Sequence, residues 1–354
     1  MNLIGEHTDY NDGYVLPIPI NRRTVVAGAP RKDLTLRAWS AQASGEVSCS
    51  LENMTPRSET GWGAYVCGTA WSLGKAGVPL EGCDLLIHSS VPPGAGLSSS
   101  AALEVSVALA VAEMSGGGVH GRELAMAAHR AEVEFVGVPS GVMDQMVAVF
   151  GKHGHALFLD ARTLAIEQVP FRPEDSGLTL GVIDTRVKHR LADGQYAERR
   201  RACEQAALVL GVASLREVSP DDLPAALWRL SPTAGRRVRH VVTENERVLA
   251  TVAALRRGDL PTVGGTFVAS HASLARDFEV SSPELDLAVE VALEAGAVGA
   301  RMTGGGFGGS AIALIPEGCV DDLRTSVSRE FEHHGFARPA VFTVTTAGGA
   351  SRIG

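Results

Sequence analysis

The segment that most restricts this chain is the run Pro92-Pro93-Gly94-Ala95-Gly96-Leu97-Ser98-Ser99-Ser100-Ala101-Ala102. A strand-forming stretch at 84–91 feeds it, and Leu103, Val107, Ala110, Val111 and Met114 leave it at helical spacing. A strand, a tight loop and a helix start must therefore follow one another here. Gly94 and Gly96 permit backbone conformations that bring N–H groups close to a ligand. The serines stand where a helix N-cap belongs, so unpaired first-turn amides and the positive end of the helix dipole face outward. That arrangement binds phosphate. It is not a Walker A loop, because GxxxxGK[ST] occurs nowhere in the chain. An ordinary serine-capped turn is the competing reading; two prolines, two glycines and three serines in fixed order favour phosphate.

Two further segments carry candidate chemistry. Thr303-Gly304-Gly305-Gly306-Phe307-Gly308-Gly309-Ser310 lies between expected strands at 297–302 and 311–315. A hairpin needs two or three turn residues, and so many glycines carry a large conformational-entropy cost. The loop is expected to approach either a ligand or the first loop closely, with a wide flexible turn as the alternative. Gly5-Glu6-His7-Thr8-Asp9-Tyr10-Asn11-Asp12-Gly13 gathers hydroxyl, imidazole and carboxylate groups suited to a polyol. Taken without context, a solvated turn is the preferred reading of that cluster. Asp144 places a carboxylate between a Pro/Gly turn and the apolar run 146–150, which is unusual unless the group is paired or functional. Glu132, on the preceding helix, reads as either a Mg²⁺ ligand or a surface residue. His153 and His155 are too weak a pair to signal a metal.

At 354 residues the chain suggests about two domains. The expected division is 1–170 and 171–354, because Pro170, Pro173 and mixed charges interrupt the pattern at 162–176. Strands are expected at 24–29, 34–40, 47–51, 155–161 and 178–185. Helices are expected at 61–76, 121–136, 193–210, 235–256, 259–278 and 283–295, and the chain finishes as strand, Gly-rich loop, strand, helix, strand over 297–346. A net charge of −8 argues against a nucleic-acid partner. No apolar run approaches the ~18 residues of a membrane span. Residues 1–20 carry Glu6, Asp9 and Asp12 and no basic n-region, so no signal peptide is expected. Five scattered cysteines without a CxxC point away from a disulfide framework or structural zinc and toward a cytoplasmic location.

The three segments, in this order, resemble the signature motifs of the GHMP sugar and metabolite kinases. The decapeptide Asn2-Leu3-Ile4-Gly5-Glu6-His7-Thr8-Asp9-Tyr10-Asn11 narrows the resemblance to galactokinases. The resemblance implies an α/β protein of the α+β type with the two-domain GHMP kinase fold: a ribosomal protein S5-like N-terminal domain and a ferredoxin-like C-terminal domain. It implies transfer of the γ-phosphoryl group of Mg·ATP to the C1 hydroxyl of galactose. By the same resemblance, Glu6, His7, Asp9, Gly141 and Tyr196 contact the sugar, and Asp144 is the catalytic aspartate. The triphosphate loop comprises Pro93, Gly94, Ala95, Gly96, Leu97, Ser98, Ser99, Ser100 and Ala101, and Ser100 and Glu132 bind Mg²⁺. A monomer with galactose and ATP as its partners is expected.

One departure stands out. The family places Gly-Arg-Val, with a catalytic arginine, before the decapeptide, whereas Met1 stands where that valine belongs. The expectation is a chain either shortened or given a wrongly assigned start, and a poor kinase for want of that arginine. The alternatives are a GHMP kinase for N-acetylgalactosamine or arabinose, and a non-catalytic galactose/ATP-binding regulator. The intact Ser98-Ser99-Ser100-Ala101-Ala102 favours an enzyme.

Overall fold

A computed structural model of the chain describes residues 1–187 and 192–353. After the two-residue strand β1 (Tyr14–Val15), the first half supplies β2 (Thr24–Pro30), β3 (Thr35–Ser40), β4 (Glu46–Ser50), α1 (Gly61–Lys75), β5 (Cys83–Ser89), α2 (Ser99–Met114), α3 (Gly121–Arg130) and α4 (Met143–Phe150). There follow β6 (His155–Asp160), β7 (Ala165–Pro170), β8 (Leu178–Asp184), α5 (Ala192–Leu210), α6 (Leu223–Trp228), α7 (Pro232–Arg256), α8 (Leu260–Ser273) and α9 (Pro283–Glu294). The chain ends with β9 (Gly299–Thr303), β10 (Ser310–Pro316), α10 (Val320–His333) and β11 (Ala340–Val344).

The chain divides into two compact units, one comprising Met1–Ile20, Pro93–Leu97 and Lys152–Ala347, the other Asn21–Pro92, Ser98–Gly151 and Gly348–Gly354. The division expected at 170/171 thus falls inside the first unit. The segment that suggested it is the hairpin strand β7, paired antiparallel with β6 so that Pro170 faces His155. Proline is tolerated there because it ends an edge strand and owes the ladder no donor.

In the first unit, β11, β8, β10 and β9 form an antiparallel sheet in that order, and β1, β6 and β7 form a second. The core gathers Ile183, Val241, Phe278, Leu285, Met302 and Phe331 from strands and helices alike. In the second unit the order is β2-β5-β3-β4, with only β3 and β5 parallel. Leu36 and Leu85 from this sheet pack with Val66, Val107 and Leu124 from α1, α2 and α3.

The helices expected over 121–136 and 259–278 each change character in their last turn. Ala131–Val136 and Leu274–Phe278 are π-helical turns, a widening often found at functional sites. In the second unit, a Cβ on Gly68 of α1 would lie 2.9 Å from Phe135, so only glycine lets α1 sit this close to the turn that also carries Glu132. No helix of the described residues is long and apolar enough to cross a membrane.

Candidate active site

In the first unit, the N-terminal cluster is held from below by its own backbone. Leu3 and Ile4 are fully buried, and both bond to Leu16 across the turn: Leu3 N–H donates to Leu16 O, and Leu16 N–H donates to Ile4 O. The solvated-turn reading fails here, since Glu6, His7, Thr8 and Asn11 are all buried. Donors from β9 and α7 make that burial tolerable. Arg301 on β9 is fully buried; its Nη1 donates to Leu3 O at 2.7 Å and its Nη2 to Glu6 Oε2. The other Glu6 oxygen accepts from Thr303 Oγ1 at 3.3 Å and from Gly304 N–H at 3.1 Å. Of roughly four lone-pair sites on a carboxylate, three are thus engaged and one remains. Burial pushes the Glu6 carboxyl up, against the opposing pull of Arg301. On α7, Glu244 accepts from Gly5 N–H at 3.1 Å and Ser270 Oγ at 2.6 Å, while His240 Nε2 lies 3.1 Å from Glu6 O.

His7 takes a left-handed backbone (φ 64°), which turns its ring into the cluster. Its Nδ1 lies 2.9 Å from Tyr10 Oη, and its buried Nε2 has no hydrogen-bond partner. Tyr196, half-buried on α5, brings its ring centroid to 5.3 Å from His7 and 5.6 Å from Tyr10. Asp9 is half-buried and accepts from Tyr10 N–H at 3.0 Å. His7 and Tyr196, far apart in the sequence, thus stand in ring contact.

The glycine loop makes the close approach expected of it, and what it approaches is the first loop. Both Pro93–Leu97 and the β9–β10 hairpin belong to the first unit. Ser310 Oγ donates to Ala95 O at 2.7 Å, and a Cβ on Gly304 would lie 3.0 Å from Gly96 O. Gly304 and Gly96 both have positive φ, so side chains are excluded there by backbone as well as by space. Ala95 and Leu97 are buried.

In the second unit, α2 begins behind Ser98. That residue holds the N-cap position but in a left-handed conformation (φ 59°), and its side chain makes no capping bond. The first helical hydrogen bond is Ala102 N–H to Ser98 O, so the earlier amides of Ser99, Ser100 and Ala101 are the helix's orphan donors. The missing side-chain cap leaves this N-terminus more open to an anion than the serine-capped turn anticipated above.

Glu132 is the second residue of the π turn and is 6% exposed. Its Oε2 accepts from Ser140 Oγ at 2.6 Å and from Gln145 Nε2 at 2.9 Å. Ser140 precedes the half-buried Gly141; Gln145 follows Asp144 in the first turn of α4, where a carboxylate is favoured by the helix dipole. Asp144 Oδ1 is buried without a hydrogen-bond partner. Gln145 Nε2 also donates to Glu104 Oε2 at 2.9 Å, and Glu104 on α2 is fully buried with Oε1 unpartnered. Burial, with Glu132 and Asp144 nearby, pushes the Glu104 carboxyl well up.

Glu132 and its neighbours offer oxygen donors of the kind a divalent cation takes. Two of the carboxylate oxygens are buried and unpartnered, and no ion pair among the described residues reaches Glu104, Glu132 or Asp144. Among the described residues, no three His, Cys, Asp or Glu side chains form a ready-made metal cage. Mg²⁺ needs none, since it commonly takes one or two carboxylates and completes its shell with phosphate and water. Sequence reasoning missed Arg301, Glu244, Gln145 and Glu104. Glu104 alone had a local signal, a carboxylate inside an apolar helical run. The histidine pair is tied to backbone carbonyls: His153 Nδ1 lies 2.9 Å from Thr346 O and His155 Nδ1 2.9 Å from His153 O.

Residues 1–30 match the galactokinase galactose-binding signature, 64–152 the GHMP kinases N terminal domain and 251–333 the GHMP kinases C terminal domain. The chain is 48% identical over 356 residues to the galactokinase of Streptomyces coelicolor, covering 100% of this chain and 92% of that protein. The chain belongs to the galactokinase family. The galactokinase of Mycobacterium tuberculosis is 44% identical over 351 residues, covering 99% of this chain and 96% of that protein. The crystal structure of Lactococcus lactis galactokinase complexed with galactose is 33% identical, with a TM-score of 0.95, covering 99% of this chain and 92% of that one. A mevalonate kinase structure, at 16% identity and a TM-score of 0.71, shares the fold. The mixed α/β GHMP kinase fold is thus common to the galactokinase family and to a wider set of kinases.

The buried histidines behind this galactokinase-family motif make stability depend on pH. Burial, reinforced by neighbouring His240, brings His7 down to about 3; burial, partly opposed by Glu244, brings His240 down to about 4. The unfolded chain protonates these rings near pH 6.5, whereas the folded chain keeps them neutral. Stability is therefore full above pH 6.5 and falls as the pH drops toward 4, by up to about 1.4 kcal/mol per pH unit for each histidine. Glu244 adds its own loss below pH 4.5, because its surrounding cations outweigh burial and hold it at about 2. Urea unfolding at pH 7, 6 and 5 should show the decline, and His240→Gln should flatten it. Equal slopes for the two proteins would contradict the assignment.

Proposed function

We propose that the chain is an ATP-dependent kinase that phosphorylates galactose at its C1 hydroxyl, releasing galactose 1-phosphate and ADP. The observation that carries the sugar side is His7 Nε2, a buried polar atom without a partner inside the segment that matches the galactose-binding signature. A buried nitrogen of this kind costs stability unless a ligand satisfies it. Galactose, the ligand of the related Lactococcus enzyme, brings the hydroxyls to do so. His7 is neutral at physiological pH and serves as a hydrogen-bonding group; it carries no charge to the sugar. Glu6 supplies its remaining acceptor site, and Asp9, Tyr196 and Gly141 complete the sugar contacts.

The orphan amides of Ser99, Ser100 and Ala101, with the dipole of the sixteen-residue α2, suit the ATP phosphates. The rigid backbone of Pro93–Leu97, pinned by Ser310, extends that loop. Ser100 and Glu132 would hold Mg²⁺, which when bound neutralises charge on the transferring phosphoryl group. Asp144 orients the C1 hydroxyl and accepts its proton as the O–P bond forms. Phosphoryl transfer needs mainly positioning and electrostatic stabilisation, and these groups supply both.

The test is ADP release with ATP and each of galactose, N-acetylgalactosamine and arabinose. Galactose should support the fastest turnover; release with another sugar at equal rate, or with none, would overturn the assignment. In calorimetry, His7→Ala and Asp9→Ala should each weaken galactose binding about tenfold, the worth of one hydrogen bond, with ATP affinity changed less than twofold. Equal loss of both ligands would count against the sugar site.

A further inference from the structure

We propose that Gln145 is a positioning residue that fixes the Glu132 carboxylate for the divalent cation and ties it to the segment presenting Gly141 and Asp144. The inference rests on the kinase reading above, in which Glu132 binds the metal.

Gln145 is fully buried, and its single amide nitrogen spends both N–H groups on carboxylates from different helices. One goes to Glu132 Oε2 and the other to Glu104 Oε2, each at 2.9 Å. Only an amide side chain does this: it donates twice from one atom and carries no charge. A leucine or methionine would fill the space but strip Glu104 of its Gln145 donor and leave Glu132 Oε2 with Ser140 alone. A glutamate would bring a third carboxyl group in place of the donor. Ser140 Oγ makes the second bond to the same Glu132 oxygen, at 2.6 Å. Both constraints therefore fall on Oε2, and Oε1 is the oxygen left to the cation.

The two donors flank a short stretch of chain. Ser140 immediately precedes Gly141, and Gln145 immediately follows Asp144. Ser140 is further tied down through its carbonyl, 3.2 Å from His129 Nε2. Residues 140–145 are thus clamped at both ends to one carboxylate. When that carboxylate swings, so do the proposed sugar contact and the proposed catalytic aspartate. Glu104 anchors the far side of the bridge from α2, the helix that also carries Ser100. Gln145 in this way connects the two elements that supply the proposed metal ligands. Partners that orient metal ligands typically account for 10–100-fold in metal affinity.

The experiment measures binding of the non-hydrolysable analogue AMP-PNP by calorimetry, once with excess Mg²⁺ and once with EDTA. The readout is the ratio of the two affinities. Gln145→Met should reduce that ratio at least tenfold while metal-free AMP-PNP binds within twofold of the unaltered protein. Ser140→Ala, a milder change at a half-buried position, should reduce it about threefold and covers the case in which Gln145→Met does not fold. Glu132→Gln is the control on the underlying reading. If Glu132→Gln leaves the ratio unchanged, the metal assignment of Glu132 is wrong and this inference falls with it. If Glu132→Gln abolishes the Mg²⁺ advantage while folded Gln145→Met and Ser140→Ala keep it, the positioning role alone is overturned. A proportional loss with and without Mg²⁺ would likewise reduce Gln145 to a structural part.

Discussion

Replacing Asp144 by asparagine lowers turnover with galactose and ATP by about 10²–10⁴-fold, the range spanned by a positioned general base. The change is close to isosteric, and Asp144 makes no ion pair that its loss would break among the described residues. Asparagine keeps an oxygen able to accept a hydrogen bond from the C1 hydroxyl. It loses the negative charge and the basicity. If Asp144 only orients the hydroxyl, asparagine retains much of the rate that alanine loses. If it takes the proton, asparagine falls as far as alanine. Single-turnover measurements on Asp144→Asn and Asp144→Ala, with galactose and AMP-PNP affinities determined alongside, decide between these outcomes. Affinities within a few-fold of the original are expected in both variants. Turnover near that of the unaltered protein in Asp144→Asn would remove the residue from the chemistry.

Local signals made most of the fold legible. Short β-type runs bounded by turn residues located β3, β4, β6 and β8, and apolar spacing located α1, α2, α7 and α9 to within a few residues. The π turns escaped because Phe135 and Phe278 keep an apolar face through them, and periodicity cannot distinguish an extra residue in one turn. Helix α4 was read only as an apolar run, since eight residues hold barely two turns of pattern. Strand β7 was hidden by Pro170, which reads as a breaker until its edge position is known.

The candidate site divides along the same line. The proposed ligand contacts sit in compact motifs, because glycine loops, helix starts and polar clusters are local arrangements. The groups that hold those motifs in place are distant in sequence. Glu6 and Arg301 are 295 residues apart, Gly5 and Glu244 239, and Glu104 and Gln145 41. Nothing in the surroundings of Arg301 in the sequence distinguishes it from any other arginine; its place on a fully buried strand does.

Arg301→Met is therefore expected to be the most destabilising single change in the first unit, at about 3–5 kcal/mol, the usual cost of removing one partner from a buried ion pair. Methionine fills much of the space, so the cost is electrostatic. Glu6 loses its cation and keeps only Thr303 Oγ1 and Gly304 N–H, and Leu3 O loses its donor. Glu244 suffers less. Arg301 Nη2 is 4.0 Å from its Oε1, whereas Arg247 Nε donates to its Oε2 at 2.6 Å. Urea unfolding at pH 7 measures the loss. Pairing the change with Glu6→Gln removes the stranded charge, so the double variant should recover stability relative to Arg301→Met alone. Galactose binding should not recover with it, because the glutamine presents an amide where the proposed sugar site offers a carboxylate. If instead Arg301→Met unfolds no more readily than the original, the Glu6 carboxyl is protonated in the folded protein and the arginine is not its counter-ion. Recovery of both stability and galactose binding in the double variant would show that Glu6 serves the sugar only through its shape.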